Sequence, residues 1–597
     1  MAQLAEETSP RALFPKPPVI DFVSERKECT CGKRLVVRKS RRKTVLTMTG
    51  PFIAHEKVLE CPSCSQIYDA DALRSLVQNR SNVAFDVLVF VGRALFQRYR
   101  TISEVLSELI FHNVRLSASE ITYLGRKFIA YLAVGHNLAT PHIQQKMNLA
   151  GGYVLHLDAT HDGDAPVLMT SMDSLSKIVL ANVKVPSENA DYIVPFLQKL
   201  QNDYGTPIAC VHDMGLGICK AVAEVFPGIH DFICHFHFLR DIGKDFLGPA
   251  YQKLRDCLRT HATSTRLHAL ARETRKSLHE QDSVAESLAK AIKFLVPPEE
   301  AGFLPIAAAY SLALWALHGK KSGDGYGFPF DLPLLEFACR LLELDRHVSG
   351  VLAQLAENGQ HDNKTLSKLA RIASDVAEDV ALRRTVDELH WRCPVFNRLR
   401  NAMRIAPVGA GHGLNDDGTA QEMTSIRQSV EQFHLQLKSE STLSADHLCR
   451  KMAQQIDKYR DKLFADPINV ETPDGTTTIY PQRTNNILEQ FFRGVRRGHR
   501  RKTGNNSMSR ALQTMLADTP LVKNLDNPEY VKILLNGKAN LEELFAEIAA
   551  MPITTADESQ DNTDRILPGF HALVNLPTLP DQVSCLFRKQ AGMEKSN

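Results

Sequence analysis

Three carboxylates and two pairs of cysteines carry the chemistry this sequence suggests. Asp158 closes the apolar run GGYVLHLDAT, Asp213 closes PIACVHD, and Glu489 lies in RTNNILEQFFRGVRRGHRRK, where its charged neighbours are arginines and a lysine. A carboxylate in that setting either neutralises its surroundings or holds a cation beside a polyanion that the arginines have gathered. Oxygen donors suit Mg2+ or Mn2+. Two such ions about 4 Å apart lower the pKa of an attacking water or 3′-hydroxyl and stabilise the leaving oxygen of a phosphodiester. The bland alternative for Glu489 is an ion pair with Arg493 at i+4.

The cysteines fall as CTCG, with Cys29 and Cys31, and CPSC, with Cys61 and Cys64. Two such knuckles about 30 residues apart can bring four thiolates to one tetrahedral Zn2+, stapling a β-rich segment too small to hold its own core. The single residue inside the first pair leaves His55 open as a replacement ligand, and four ordinary reduced thiols as the alternative. Between the pairs, seven of the eleven residues from Lys33 to Lys43 are Lys or Arg, and six of ten are from Arg493 to Lys502. Two basic clusters far apart in sequence suit a phosphate-binding surface; each alone would read as a solvated face.

Elements must position these groups. Residues 1–28 read as an irregular, Pro-containing lead and 29–70 as a zinc-ribbon-like module. Residues 80–145 read as helical, with capping boxes at Thr101/Glu104 and Ser117/Glu120. The FHNVRL connection between them is compatible with a helix-turn-helix whose second helix runs from Ala118 to about Ala133. From 150 to 247 the order is three strands, helix, strand, helix, strand, helix, with Asp158 ending the first strand, Asp213 the fourth, and HDFICHF the fifth strand. Residues 248–480 read as an all-helical insertion and 481–525 as a final helix with a basic segment. In that helix Leu488, Phe491, Phe492 and Val495 form a core stripe with Glu489 at its margin. Residues 526–597, with the polar stretch TTADESQDNTD, read as a tail. No long-period repeat is present.

This order, with LHLDAT, VHDMG, CHFH and TNNILEQ, resembles the DDE transposases of bacterial insertion sequences and the related Mutator-like superfamily over roughly 151–502. The resemblance implies an α/β RNase H-like core, a mixed five-stranded sheet with flanking helices, interrupted by a large all-α insertion. It implies Asp158, Asp213 and Glu489 as catalytic ligands of Mg2+ or Mn2+, and Cys234 with His237 as the Cys-x2-His signature in a structural or DNA-positioning role. Arg493, Arg496, Arg497, Arg500, Arg501 and Lys502, with Arg41 and Arg42, would bind DNA. Asp162, Asp164, Asp231 and Asp241 read as turn, surface or capping acids. Trp391 in ELHWRCP reads as a buried anchor, with stacking on a flipped base as the alternative.

The expected function is cleavage at the ends of an insertion sequence and strand transfer of 3′-hydroxyls into target DNA, by a homo-oligomer on double-stranded DNA. The alternative is a catalytically inactive or domesticated DNA-binding regulator. Composition sets the outer bounds. At 597 residues, 44% of them apolar, the chain can bury several cores, and its net charge of +3 says little about partners. No run of about 18 apolar residues appears, MAQLAEETSPRALFPKPP lacks the order of a secretory signal, and twelve cysteines without one point to thiols or metal ligands. The expected location is therefore the cytoplasm, with no membrane partner.

Overall fold

The computed structural model describes residues 16–278, 288–290, 293, 304–357, 363–406, 420–551 and 582. Near the N-terminus, β1 (Val19–Val23), β2 (Val36–Thr47), β3 (Gly50–Glu60) and β4 (Ile67–Tyr68) form one sheet. β3 is central: β1 pairs with it in parallel, β2 and β4 antiparallel. β1 therefore lies within the segment read as irregular; its partner is some 30 residues away and only Phe22 of its five residues is buried, so nothing local marks it. A small core of Phe22, Val45, Phe52, Leu73 and Val77 supports the sheet.

Three helices follow, α1 (Phe85–Phe96), α2 (Ile102–Phe111) and α3 (Ala118–Leu149). Both capping boxes are formed, Thr101 with Glu104 and Ser117 with Glu120. α3 does not stop near Ala133. It continues through Pro141 to Leu149, because Ala139, Ile143 and Met147 keep one face buried beyond the expected end.

The central layer is a five-stranded sheet: β5 (Val154–Thr160), β6 (Val167–Asp173), β7 (Ile178–Val185), β8 (Ala209–His212) and β9 (His230–Ile233). Its order is β7-β6-β5-β8-β9, the first three antiparallel and β5, β8 and β9 parallel. α4 (Ala190–Tyr204) links β7 to β8, α5 (Leu216–Val225) links β8 to β9, and α6 (His235–Thr260) leaves β9. Strand alternation divides the sheet's faces. Leu155, Leu157 and Cys210 pack with α3, α4 and α5, whereas Val154, Ala209 and Val211 pack with α6. Two expected boundaries move: β5 runs two residues past Asp158, and HDFICHF ends as strand at Ile233, with Cys234 capping α6.

The insertion contains α7 (Thr263–Leu278), α8 (Leu304–His318), α9 (Pro333–Glu357), α10 (Lys364–Ala377), α11 (Val380–Ala402), α12 (Ala420–Ser439) and α13 (His447–Leu463). It is not entirely helical: β10 (Ile468–Thr472) and β11 (Gly475–Ile479) form an antiparallel hairpin before residue 480. Much of APVGAGHGLNDDG, and all of TTADESQDNTD, lie outside the described residues. α14 (Asn486–Thr503) brings the chain back to β5, followed by α15 (Ser509–Thr514), a 3-10 turn at Thr519–Asp526, α16 (Pro528–Leu535) and α17 (Leu541–Ala550). Tyr530, Leu534, Leu544 and Phe545 are buried in the core that also contains α3, so residues 526–549 are part of the folded body rather than a tail. The chain divides into two compact units, Met1–Ala549 and Ala550–Asn597, and the sheets belong to the first. Among the described residues no helix is long and apolar enough to cross a membrane.

Candidate active site

The parallel pairing of β5 with β8 sets Val154 against Ala209, Leu155 against Cys210 and His156 against Val211. Continued two residues, that register sets Asp158 level with Asp213, the first residue past β8. Asp158 is 6% exposed and accepts the Ala159 N–H at 2.8 Å. Burial pushes its carboxyl up to about 7, and the charges of Glu489 and Asp213 add to this against the opposing pull of His237. Asp213 accepts the Gly215 N–H at 2.9 Å, which fixes it at the entry to α5.

Glu489, in the first turn of α14, enters the same cleft of about 540 Å³. Its partner is His237 Nε2 at 3.3 Å, not Arg493 one turn further on. The His237 hydrogen bond holds the Glu489 carboxyl below its usual range despite partial burial. Burial opposes a charge on His237, but the adjacent Cys234 and the bond to Glu489 outweigh it and hold the imidazolium well above the ordinary histidine range. A fourth acid that sequence reading missed, Glu188, also lines the cleft. Its Oε2 and the Asp213 Oδ1 lie 3.7 and 3.0 Å from where a Cβ on Gly215 would stand. Burial, then the Asp213 charge, raises the Glu188 carboxyl.

The segment leading into Glu489 is stitched to the sheet by buried polar groups. Asn485 donates its side-chain N–H to the Leu157 carbonyl at 2.7 Å and accepts from His156 Nδ1 at 2.9 Å. Its backbone N–H donates to Cys234 Sγ at 3.2 Å. Arg483 donates to the Met403 carbonyl at 2.7 Å, and its own carbonyl accepts the His235 N–H at 2.9 Å. Cys234 and His237 therefore hold one helix by two handles, the backbone at its start and the carboxylate in its first turn. Their spacing was legible in sequence; their partners, some 250 residues on, were not.

Arg493 and Arg496 line the cleft, and Arg496 donates to Thr160 Oγ1 at 2.9 Å. Arg240 and Lys244 of α6, absent from the sequence reading, line it as well. Arg497, Arg500 and Arg501 are exposed, while Lys502 is half-buried and stands 5.9 Å from the Phe96 ring centroid on another face of α14. Arg42 is exposed on edge strand β2, but Arg41 is engaged by Glu56 at 2.7 Å and Asp69 at 3.0 Å. Of the competing acids, Asp162 accepts the Met508 N–H at 2.5 Å, Asp164 is exposed, and Asp231 pairs with His212 at 2.7 Å and with Lys462. Asp241 pairs with Lys244 at 3.2 Å at the cleft rim. Trp391 is 40% exposed, so it is not the buried anchor expected.

The four cysteines converge. Cys29 Sγ lies 3.4 Å from Cys64 Sγ, Cys31 Sγ 3.4 Å from Cys61 Sγ and 3.9 Å from Cys64 Sγ. Zinc–sulfur bonds of about 2.3 Å in a tetrahedron space sulfurs by about 3.8 Å, so this group can hold a metal ion and fits zinc. The tight Cys29–Cys31 spacing is met by a turn in which Gly32, at φ 80°, donates to the Cys29 carbonyl at 2.8 Å. The Cys31 backbone N–H, then the Tyr68 hydroxyl, brings the Cys29 thiol down to about 5. His55 takes no part, its Nδ1 lying 2.6 Å from Asp21 Oδ1. Among the described residues this is the one group of three or more ligating side chains with donor atoms all within 4.8 Å; the cleft carboxylates stand further apart. No known family model matches the chain, and no curated protein does.

Proposed function

We propose that this chain is a metal-dependent DNA transposase built on an RNase H-like core, cutting at the ends of its own element and joining 3′-hydroxyls to target DNA. The observation that carries the reading is the convergence of Asp158, Asp213 and Glu489, from three distant segments, on one cleft that Arg493 and Arg496 also line. The donor set is oxygen, as Mg2+ or Mn2+ requires, and Asp158, Asp213 and Glu489 would hold the ions. Bound there, divalent ions would activate the attacking oxygen and stabilise the leaving one.

The protein's own groups do the rest. His237 fixes the orientation of Glu489, the Gly215 N–H fixes Asp213, and the arginines hold backbone phosphates in reach. Spaced carboxylates suit two ions rather than one enclosed ion. The cysteine module would carry a structural zinc and, with the exposed basic edge of β2, recognise the element ends. A homo-oligomer acting on double-stranded DNA in the cytoplasm is part of this proposal, since two ends must be cut together.

The test is cleavage and joining of a labelled duplex bearing the flanking element ends, with Mg2+ or Mn2+, for the wild type and Glu489→Gln. Activity that depends on metal and is lost in the variant, with DNA binding retained, supports the transposase. Equal DNA binding with no cleavage by either protein supports a DNA-binding regulator instead.

A further inference from the structure

A second cavity, of about 460 Å³, lies against another face of α14, within the volume range of small-molecule sites. Phe96 of α1, Ile129 of α3, Val495 of α14 and Met508 and Met515 on either side of α15 give it apolar walls. Its charged lining groups are all basic or titrate as bases: Arg126, His499, Lys502 and Lys523, with no Asp or Glu among them. Two of these are already engaged. His499 Nε2 contacts the Ser507 carbonyl at 2.9 Å, and Lys523 pairs with Asp526 at 3.6 Å. Lys502 and Arg126 have no hydrogen bond or ion pair among the described residues. Lys502 is half-buried, and its ammonium stands 5.9 Å from the centroid of the uncharged Phe96 ring.

An ammonium drawn out of water without a counter-charge is costly, and an anion removes that cost. Apolar walls ending at the half-buried, unpaired Lys502, with exposed Arg126 also lining the cavity, complement a molecule with a hydrocarbon body and one negative head. We propose that this cavity binds an amphipathic monoanion of the acyl carboxylate class, its head between Lys502 and Arg126 and its chain along Ile129, Val495 and the two methionines.

A nucleobase turned out of DNA fits less well. It needs a free aromatic face and amide groups for its polar edge. Tyr99 packs on Gly498, where a Cβ would come 2.0 Å from Tyr99 Cε1, and its ring already carries the Lys523 ammonium. No Asn or Gln lines the cavity.

The test is calorimetric titration of the full-length protein with decanoate, decanol and thymidine monophosphate. Decanoate should bind at one site. Lys502→Met, which keeps the apolar stem, should weaken it by about ten-fold or more, as expected for loss of a charge-assisted contact. Lys502→Arg should restore binding, which separates lost charge from lost fold, and Thr514→Trp, at an exposed position on the wall, should abolish it. The proposal is overturned if decanoate does not bind, if decanol binds as tightly, if Lys502→Met has no effect, or if thymidine monophosphate binds and decanoate does not.

Discussion

Cys234 and His237 stand one turn apart on α6, and each is defined by what it holds on α14. The first accepts a backbone N–H, which a thiol supports with little directional demand; the second binds the Glu489 carboxylate itself. If the proposed function holds, His237→Ala should lower the cleavage rate by about 10- to 100-fold, the usual effect of removing a group that orients a metal-binding side chain. DNA affinity, measured by filter binding, should stay unchanged; a parallel loss of affinity would make His237 a DNA contact. Asn485→Ala strips two side-chain hydrogen bonds from a fully buried position and should cost about 2–3 kcal/mol, read as a lower Tm. A stability equal to wild type would refute its role as a stitch. At this scale the sequence shows which residues have chemical capacity, since Asp158, Asp213 and Glu489 each follow or flank an apolar run. It hides pairings across the chain: nothing near Asn485 announces His156 or Leu157, and nothing near Gly215 announces Glu188.

Elements divide by whether their signals are local. The capping boxes at Thr101 and Ser117 and the stop at Gly205, with φ 83°, are satisfied within a few residues, and the corresponding boundaries are readable. The end of α3, the strand β1 and the hairpin β10–β11 depend on distant partners, and there local reading fails. The cysteine cluster is intermediate, because ligand spacing is a sequence signal for a contact that only the fold completes. Cys61→Ala should abolish binding of one equivalent of zinc, measured by atomic absorption. Amide exchange should accelerate in β2–β4, while β5 to β9 keep their protection, because the two sheets have separate cores. Unchanged zinc content would remove Cys61 from the ligand set.

For the molecule as a whole, His136 is the point where distant segments meet. Its Nε2–H donates to the Leu180 carbonyl of β7 at 2.8 Å, and the Tyr530 hydroxyl of α16 donates to its Nδ1 at 2.9 Å. Burial brings its pKa down to about 4 from 6.5, the Leu180 bond opposing only in part. As pH falls below 6.5 the unfolded chain takes up a proton that the folded chain refuses. The stability His136 contributes is therefore complete above that pH and is lost progressively down to about 4. The total is about 3.5 kcal/mol, from the fall of 6.5 to about 4 at about 1.4 kcal/mol for each pH unit. Denaturation midpoints measured between pH 7 and 4 should fall along this course, and His136→Gln should flatten it; an unchanged slope would assign the loss to other groups. The return of α14 to β5 across the helical insertion also has a consequence in time. Asp158 leaves the ribosome early, while Asn485 meets Leu157 from 328 residues further on. At about 5–20 residues per second, tens of seconds separate the two. Throughout that interval the growing chain has its aspartates and lacks its glutamate, so order of manufacture delays assembly of the carboxylate set, and a message cut short before codon 489 never completes it.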